Sequence, residues 1–286
     1  MNIMKLAIPL VVALAYGPAP GLAAPILQAE LASFAVLGAT GVTNASGGGA
    51  AATIITGNLG VSPGPLTSIT GFPPGIVIGS IQPGTEAAAE AELTVAYLAL
   101  EGAPRTGTIS AGGLSGANLV PGVYDVTSTS FDLTTGSTLF LNALGNPFGS
   151  WVFRMSSSLI TGVNTTVDVS TLGANNSVYW VVRSAATLGD NADFAGNILA
   201  LAQIAFDPGA TDICGRALSR TANVTFAGVG TTPEPGEARV EANQVGGNCG
   251  LNGGPGPVLP EPGTLLLFGT GLAGLFTFRK RLFAVA

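Results

Sequence analysis

The sequence predicts a mainly β chain, wound as an irregular solenoid of short strands with one long helix packed alongside. Three observations carry this prediction. Gly and Pro number 42 and 19 and together make up about 21% of the 286 residues, against about 12% in average proteins, so turns are frequent and helix is scarce. Between Leu31 and Phe226 apolar, small and hydroxyl residues recur in short runs separated by Gly, Pro or Asn, the pattern of strands. Only residues 85–101 stand apart, free of Gly and Pro and rich in good helix formers.

From the amino end, Lys5 is followed by an apolar stretch from Leu6 to Tyr16 and then by Gly21-Leu22-Ala23-Ala24. Residues 1–24 therefore read as a secretory signal peptide, with an apolar part too short to span a membrane. The body, residues 25–230, contains Phe34-Ala35-Val36-Leu37, Gly122-Val123-Tyr124-Asp125-Val126, Ser137-Thr138-Leu139-Phe140-Leu141 and Trp151-Val152-Phe153-Arg154-Met155. Val178-Tyr179-Trp180-Val181-Val182, Asn197-Ile198-Leu199-Ala200-Leu201 and Asn223-Val224-Thr225-Phe226 continue the series of strands. The helix opens with Thr85 as a cap and a Glu in its first turn, which suits the positive end of the helix dipole. Ala89, Leu93, Ala96, Tyr97 and Leu100 share one face, so the helix lies against the strands.

Such strands could build a sandwich, a barrel or a solenoid. Strings such as Gly38-Ala39-Thr40, Ala51-Ala52-Thr53, Ala185-Ala186-Thr187-Leu188-Gly189 and Gly209-Ala210-Thr211 place small side chains where a sandwich wants large ones. They suit the crowded interior and corners of a β-helix, whose coils stack about 4.7–4.9 Å apart. No strict period appears, so the solenoid is irregular. Residues 231–257, Gly-rich and Pro-rich, read as a linker.

Composition also excludes functions. The chain has no histidine, which removes Ser-His-Asp and Cys-His catalysis and His-ligated metals. A net charge of −6 argues against a grip on nucleic acid phosphates. Asp190, Asp193, Asp207 and Asp212 fall close together, but their spacing matches neither an EF-hand loop nor a calcium-binding nonapeptide repeat, and solvated turn aspartates account for them. Arg154, Arg183, Arg216 and Arg220 read as partners for these acids. The Gly-rich stretches lack the Lys-Ser/Thr ending of a phosphate loop. The chain thus reads as a non-enzyme with no catalytic residues, no metal site and no cofactor. Cys214 and Cys249 are its only cysteines, and outside the cell they could tie a carboxy-terminal loop to the body.

At the carboxy end, Pro260-Glu261-Pro262 leads into an uncharged apolar stretch, residues 263–278, and then Arg279-Lys280-Arg281. A helix of that length spans a bilayer marginally, and the three cations hold its far end in the cytoplasm. Residues 258–286 resemble the PEP-CTERM sorting signal of Gram-negative bacteria. The resemblance implies transient anchoring in the inner membrane, cleavage by an exosortase-type membrane protease, and a mature protein that is secreted or held at the cell surface. Without its two ends the body carries six basic and fifteen acidic residues, about −9 in net charge.

Across the body, Ser33-Phe34-Ala35-Val36-Leu37-Gly38, Thr56-Gly57-Asn58-Leu59-Gly60-Val61-Ser62-Pro63-Gly64, Thr70-Gly71-Phe72-Pro73-Pro74-Gly75 and Pro121-Gly122-Val123-Tyr124 are followed by further blocks. These are Ala186-Thr187-Leu188-Gly189, Gly196-Asn197-Ile198-Leu199-Ala200 and Gly215-Arg216-Ala217-Leu218. In this order they resemble the bacterial and fungal ice-binding-like domain. The resemblance implies an irregular right-handed β-helix of triangular section with one long α-helix alongside, and a partner that is the surface of ice, whose growth and recrystallisation the protein would inhibit.

An ice plane offers no charge and no pocket, so its binder needs a flat, rigid array of groups that hold ordered water. Threonine suits this, with a hydroxyl that bonds water, a methyl that fills the gap beside it and a stiff χ1. In some family members the pattern Thr-(Ala/Gly)-x-(Thr/Asn) recurs on the ice-binding face. Here the resemblance points to Thr161 and Asn164 with Thr166, to Thr40 and Thr43 with Asn44, to Thr134 and Thr138, and to Thr221 and Asn223. Asp190-Asn191-Ala192-Asp193 and Phe206-Asp207-Pro208 depart from the family pattern and would reduce the flat area. A second reading, an extracellular matrix or adhesin protein that binds exopolysaccharide, would call for exposed aromatic side chains beside polar groups.

Overall fold

The structure is a computed structural model that describes residues 26–45, 53–82, 86–173, 175–212, 214–228 and 244–246. It is mainly β, with parallel sheets and few helices. Helix α1 is a short turn, Ala29–Ser33, and α2 runs over Glu86–Glu101. The face expected of α2 is buried as Ala89, Leu93, Ala96, Tyr97 and Leu100, joined by Glu86. Thr85, the expected cap, lies outside the described residues.

Three sheets account for the strands, and every pairing is parallel. In spatial order, sheet 1 consists of Asn58–Val61, Phe34–Gly38, Arg216–Ser219, Asn197–Ala200, Ser177–Val182, Ser150–Met155, Gly122–Val126 and Gly107–Ile109. Sheet 2 consists of Leu159–Ile160, Ala186–Leu188, Ile204–Phe206, Val224–Phe226, Val42–Asn44 and Ile69–Thr70. Sheet 3 runs from Ile76–Ile78 through Ile54–Thr56, Gln244–Gly246, Thr211–Asp212, Asp193–Phe194, Thr166–Asp168 and Thr138–Leu141 to Asn118–Leu119.

In six layers the chain visits these sheets in the same cycle, and the layers that begin at Gly107–Ile109 and Gly122–Val126 pass from sheet 1 to sheet 3 with no strand in sheet 2. From Ser177–Val182 in sheet 1 it passes to Ala186–Leu188 in sheet 2, to Asp193–Phe194 in sheet 3, and back to sheet 1 at Asn197–Ala200. Glycines permit the tight return from sheet 3 to sheet 1. Gly196 has φ +117°, and a Cβ on Gly215 in the next layer would collide with the Gly196 carbonyl.

Layer order differs from chain order. The first strand, Phe34–Gly38, lies between Asn58–Val61 and Arg216–Ser219, so the amino-terminal layer bonds to one of the last. Between Asn58–Val61 at one end of sheet 1 and Gly107–Ile109 at the other stand seven strand spacings, about 34 Å. The 16 residues of α2 cover about 24 Å of that distance.

Two apolar layers hold the fold. Inside the three sheets, Tyr124, Phe153, Trp180 and Phe194 form a chain of aromatic contacts with successive ring centroids 5.8, 4.3 and 4.8 Å apart. Outside sheet 1, α1 and α2 pack on Leu37, Val152, Tyr179, Val181, Leu199 and Leu218. Strand Ser150–Met155 serves both layers, with Trp151, Phe153 and Met155 turned inward and Val152 turned to the helices, as a period of two requires. From the same strand Arg154 closes the end of α2, donating to the carbonyls of Glu101 at 2.6 Å and Ala103 at 2.9 Å and to Asp125 at 2.7 Å. Cations at the carbonyl end of a helix are favourable.

The expected pairing of arginines with the Asp190–Asp212 group is corrected in most cases. Arg154 pairs with Asp125 and Arg183 with Glu101, Arg220 lies over the Tyr97 ring at 4.6 Å, and only Arg216 acts on Asp212. The helix and sheet 1 bring these charges together, whereas the four aspartates belong to sheet 3 or to the connections that lead into it from sheet 2. Among the described residues no helix is long and apolar enough to cross a membrane. The expected signal peptide, sorting helix, Pro260-Glu261-Pro262 and Arg279-Lys280-Arg281 lie outside the described residues.

Candidate functional site

With sheet 1 covered by helices, sheets 2 and 3 offer broad outer faces. The strands of sheet 2 share a pattern of an outward residue between two inward ones. In Ala186-Thr187-Leu188, Ile204-Ala205-Phe206 and Val224-Thr225-Phe226 the outer two are buried and the middle one is partly exposed, and in Val42-Thr43-Asn44 the middle one is exposed. The register aligns these middle positions across all six strands as Ile160, Thr187, Ala205, Thr225, Thr43 and Thr70. Parallel strands at about 4.8 Å make this column about 24 Å long.

Apart from Asp207, small or neutral residues flank the column. Two positions earlier stand Ser158, Ala185, Gln203, Asn223, Gly41 and Ser68, and two later Gly162, Gly189, Asp207, Ala227, Ala45 and Phe72. Gln203 donates to the Thr225 hydroxyl at 3.2 Å. Beneath, Leu188, Phe206 and Phe226 are buried, and the Phe206 and Phe226 rings lie 4.9 Å apart, which stiffens the support. Asp132 closes one edge of the sheet. Its carboxylate accepts from the Ile160 amide at 2.8 Å and the Thr129 amide at 3.0 Å, where another strand would supply carbonyls. Burial raises its pKa, and these two amide bonds oppose the rise.

The residues expected from the sequence are divided among several places. Thr43 is exposed in the sheet 2 column and Asn223 lies half-buried beside it, while Thr40 is exposed in the turn leading into that sheet. Thr221 is exposed between sheets 1 and 2, where its hydroxyl donates to the Leu201 carbonyl. Thr138 and Thr166 are paired in sheet 3, and Thr134 and Asn164 are exposed in the turns between sheets 2 and 3, with Asn164 at φ +54°.

Two positions are corrected. Asn44 is buried, donating to the Gly71 carbonyl at 2.9 Å and accepting from Thr53 at 2.9 Å. Thr161 is 2% exposed, and its hydroxyl accepts from the Gly189 amide at 2.9 Å. Each falls one residue past the outward position of its strand, and one step along a strand moves a side chain to the other face. Thr187, Thr225 and Thr70 were missed. Their signal was a Thr flanked by apolar residues on a short strand, not a Thr four residues from another.

Sheet 3 is chemically different. Its register aligns Thr138, Thr166, Asp193 and Thr211 and, beside them, Phe140 with Asp168. All of these but Thr211 border a concavity of about 500 Å³ together with Val169, Ser170 and Cys214. Phe140 is 42% exposed there. Cys214 is disulfide-bonded, and Cys249, the other cysteine of the chain, lies outside the described residues. Asp212 is wholly buried, and burial raises its carboxyl pKa well above the usual range, opposed by the Gly196 amide and Arg216. Among the described residues no three Asp, Glu, Cys or His side chains are grouped to hold a metal ion.

Comparison with known proteins agrees with this architecture. An ice-binding protein from Nostoc sp. (strain HG1) is 37% identical over 253 residues, covering 87% of this chain and 85% of its own. One from Flammulina populicola is 29% identical over 70% of this chain and 85% of its own. The crystal structure of an ice-binding protein from an Antarctic biological consortium superposes with a TM-score of 0.63 at 30% identity, covering 85% of this chain and 95% of that one. That from the ascomycete Antarctomyces psychrotrophicus gives a TM-score of 0.60 at 31% identity, over 76% of this chain and 95% of its own. Residues 258–281 match the PEP-CTERM protein-sorting motif. Residues 36–231, which include all of sheet 2, match the Ice-binding-like family, and the chain belongs to that family.

Proposed function

We propose that this chain is an exported ice-binding protein that adsorbs to ice through the outer face of sheet 2. The observation that carries the proposal is the in-register column Thr187, Ala205, Thr225, Thr43 and Thr70, with buried residues beneath it and small or neutral residues on most of its flanks. Repetition of one residue class at the strand spacing sets hydroxyls and methyls in a two-dimensional lattice. Adjacent strands stand about 4.8 Å apart, and successive outward residues on a strand about 6.7 Å apart. Charged groups hold water too strongly to join such an order, and the central column contains none.

The wider reading is an irregular right-handed β-helix of triangular section. The cyclic visit to three parallel sheets supports the coil, and the strong preference of parallel crossovers for the right hand supports its sense. We assign residues 1–24 to export, 25–230 to the ice-binding domain, 231–257 to a linker and 258–286 to sorting. The motif at residues 258–281 supports passage to the surface of a Gram-negative bacterium through a transient inner-membrane stage and an exosortase-type protease.

The test is to grow single ice crystals with residues 25–257 and to follow recrystallisation in parallel. Faceted crystals and suppressed coarsening are expected. Thr225→Tyr and Thr43→Tyr each place a ring in the column and should raise the concentration required by about tenfold or more, the factor that 1.4 kcal/mol represents, with unchanged thermal unfolding. Round crystals from the folded parent would overturn the reading and turn attention to sheet 3, where Phe140 beside Asp168, Thr138 and Thr166 matches the chemistry of saccharide recognition.

A further inference from the structure

The threonine column of sheet 2 has a gap between Thr187 and Thr225, where the register places Ala205, with a methyl and no hydroxyl. Two residues before Ala205 stands Gln203, half-buried, which the register sets opposite Asn223 in the flanking row. From Gln203, Thr225 lies on the diagonal, one strand across and two residues along, about 8 Å between Cα atoms. A glutamine is long enough to cross that diagonal, and its side-chain amide donates to the Thr225 hydroxyl at 3.2 Å. The path runs between Ala205 and Asn223, the other two corners of the same lattice cell, and Ala205 keeps it open because its side chain is a single methyl.

A threonine hydroxyl has one proton to give and two lone pairs to offer. The stiff χ1 of threonine fixes the oxygen, whereas the proton turns freely. An amide that donates to one lone pair closes that direction to the proton, and it strengthens the hydroxyl as a donor to its next partner. The remaining donor and acceptor of Thr225 are then set for ordered water before any ice arrives, and ordering completed in advance is not charged against binding. The same bond holds the long Gln203 side chain, which would otherwise lose its rotamer freedom on adsorption. We propose that Gln203 is a positioning residue of the ice-binding face that acts through Thr225: its amide directs the Thr225 hydroxyl and bridges the column at Ala205, where a hydroxyl is missing. The proposal rests on the assignment of sheet 2 as that face.

Full-length chain, Gln203→Met, Gln203→Asn, Thr225→Val, the double variant Gln203→Met with Thr225→Val, and Thr225→Tyr would be compared for recrystallisation inhibition, with thermal unfolding followed on each. Gln203→Met keeps the length of the side chain and removes the donor, and should raise the half-inhibiting concentration about threefold, equivalent to about 0.7 kcal/mol and within the worth of one hydrogen bond. Gln203→Asn keeps an amide on the face but falls one methylene short of Thr225, and should lose as much. Because Gln203 acts through the Thr225 hydroxyl, the double variant should be no weaker than Thr225→Val alone, a coupling that a merely structural role would not produce. Where Gln203→Met folds poorly, Gln203→Asn with Thr225→Val completes the same cycle. Losses that multiply in the double variant overturn the proposal, and so does a Gln203→Asn chain as active as the parent, since the amide would then act on water by itself. If Gln203→Met leaves activity unchanged while Thr225→Tyr abolishes it, the proposal fails and the face stands. Indifference to both substitutions overturns the face itself.

Discussion

Thr43 and Thr161 stand one register step apart on sheet 2, and that step decides what each can do. Thr43 aligns with Thr225 and Thr70 on the outer face, while Thr161 follows the outward Ile160 and turns inward to accept from Gly189. Its hydroxyl is thus a corner fastening. Thr161→Val keeps the shape and removes the acceptor, leaving the Gly189 amide unpaired in a buried position. A loss of about 1–3 kcal/mol is expected, read as a lower melting temperature, while ice shaping by the folded fraction stays as in the parent. Loss of shaping with unchanged melting would return Thr161 to the binding face.

Helix α2 illustrates how an element acquires a pH response from where it packs. Glu90 sits half-buried against the sheet, its carboxyl pushed up to about 7 by burial, and Arg220 is the charge that opposes the rise. A carboxyl raised from 4.5 to about 7 on folding favours the folded state most below about 4.5, and that stability is lost as pH rises through about 7. The melting temperature should therefore fall between pH 5 and pH 8, by about 2–4 °C for each kcal/mol lost. Glu90→Gln, neutral throughout, should flatten that slope. A slope equal to the parent's would assign the pH response to another group.

For the whole molecule the decisive contact is the seam between the first strand of sheet 1, Phe34–Gly38, and its last in chain order, Arg216–Ser219. Val36 pairs with Ala217 and Leu37 with Leu218, so the amino-terminal layers rest on residues about 180 positions away. Leu218 is fully buried under the helices, and Leu218→Ala should cost about 2–5 kcal/mol. Because the seam joins both ends of the body, unfolding should remain one cooperative transition at a lower temperature. Two separated transitions would mean that the layers on either side of the seam fold independently. Four strands of the threonine column lie on one side of that seam in chain order and two, Val42–Asn44 and Ile69–Thr70, on the other. An unbroken face thus depends on its closure.

The sequence by itself determined the class of the fold, the helix and its buried face, and the family, because these follow from local composition, periodicity and ordered short motifs. Gly and Pro frequency marks the corners, and an uninterrupted run of helix formers marks α2. Which threonines share a face was decided only by the tertiary structure. Thr43, Thr225 and Thr187 lie far apart in the chain and meet through hydrogen-bond register between layers whose spatial order departs from chain order. Register has a period of two, so a motif displaced by one residue turns the other way, as Asn44 and Thr161 do. Four-residue spacing within one strand carries no information about the neighbouring strand, and it is the neighbouring strand that makes a row into a face.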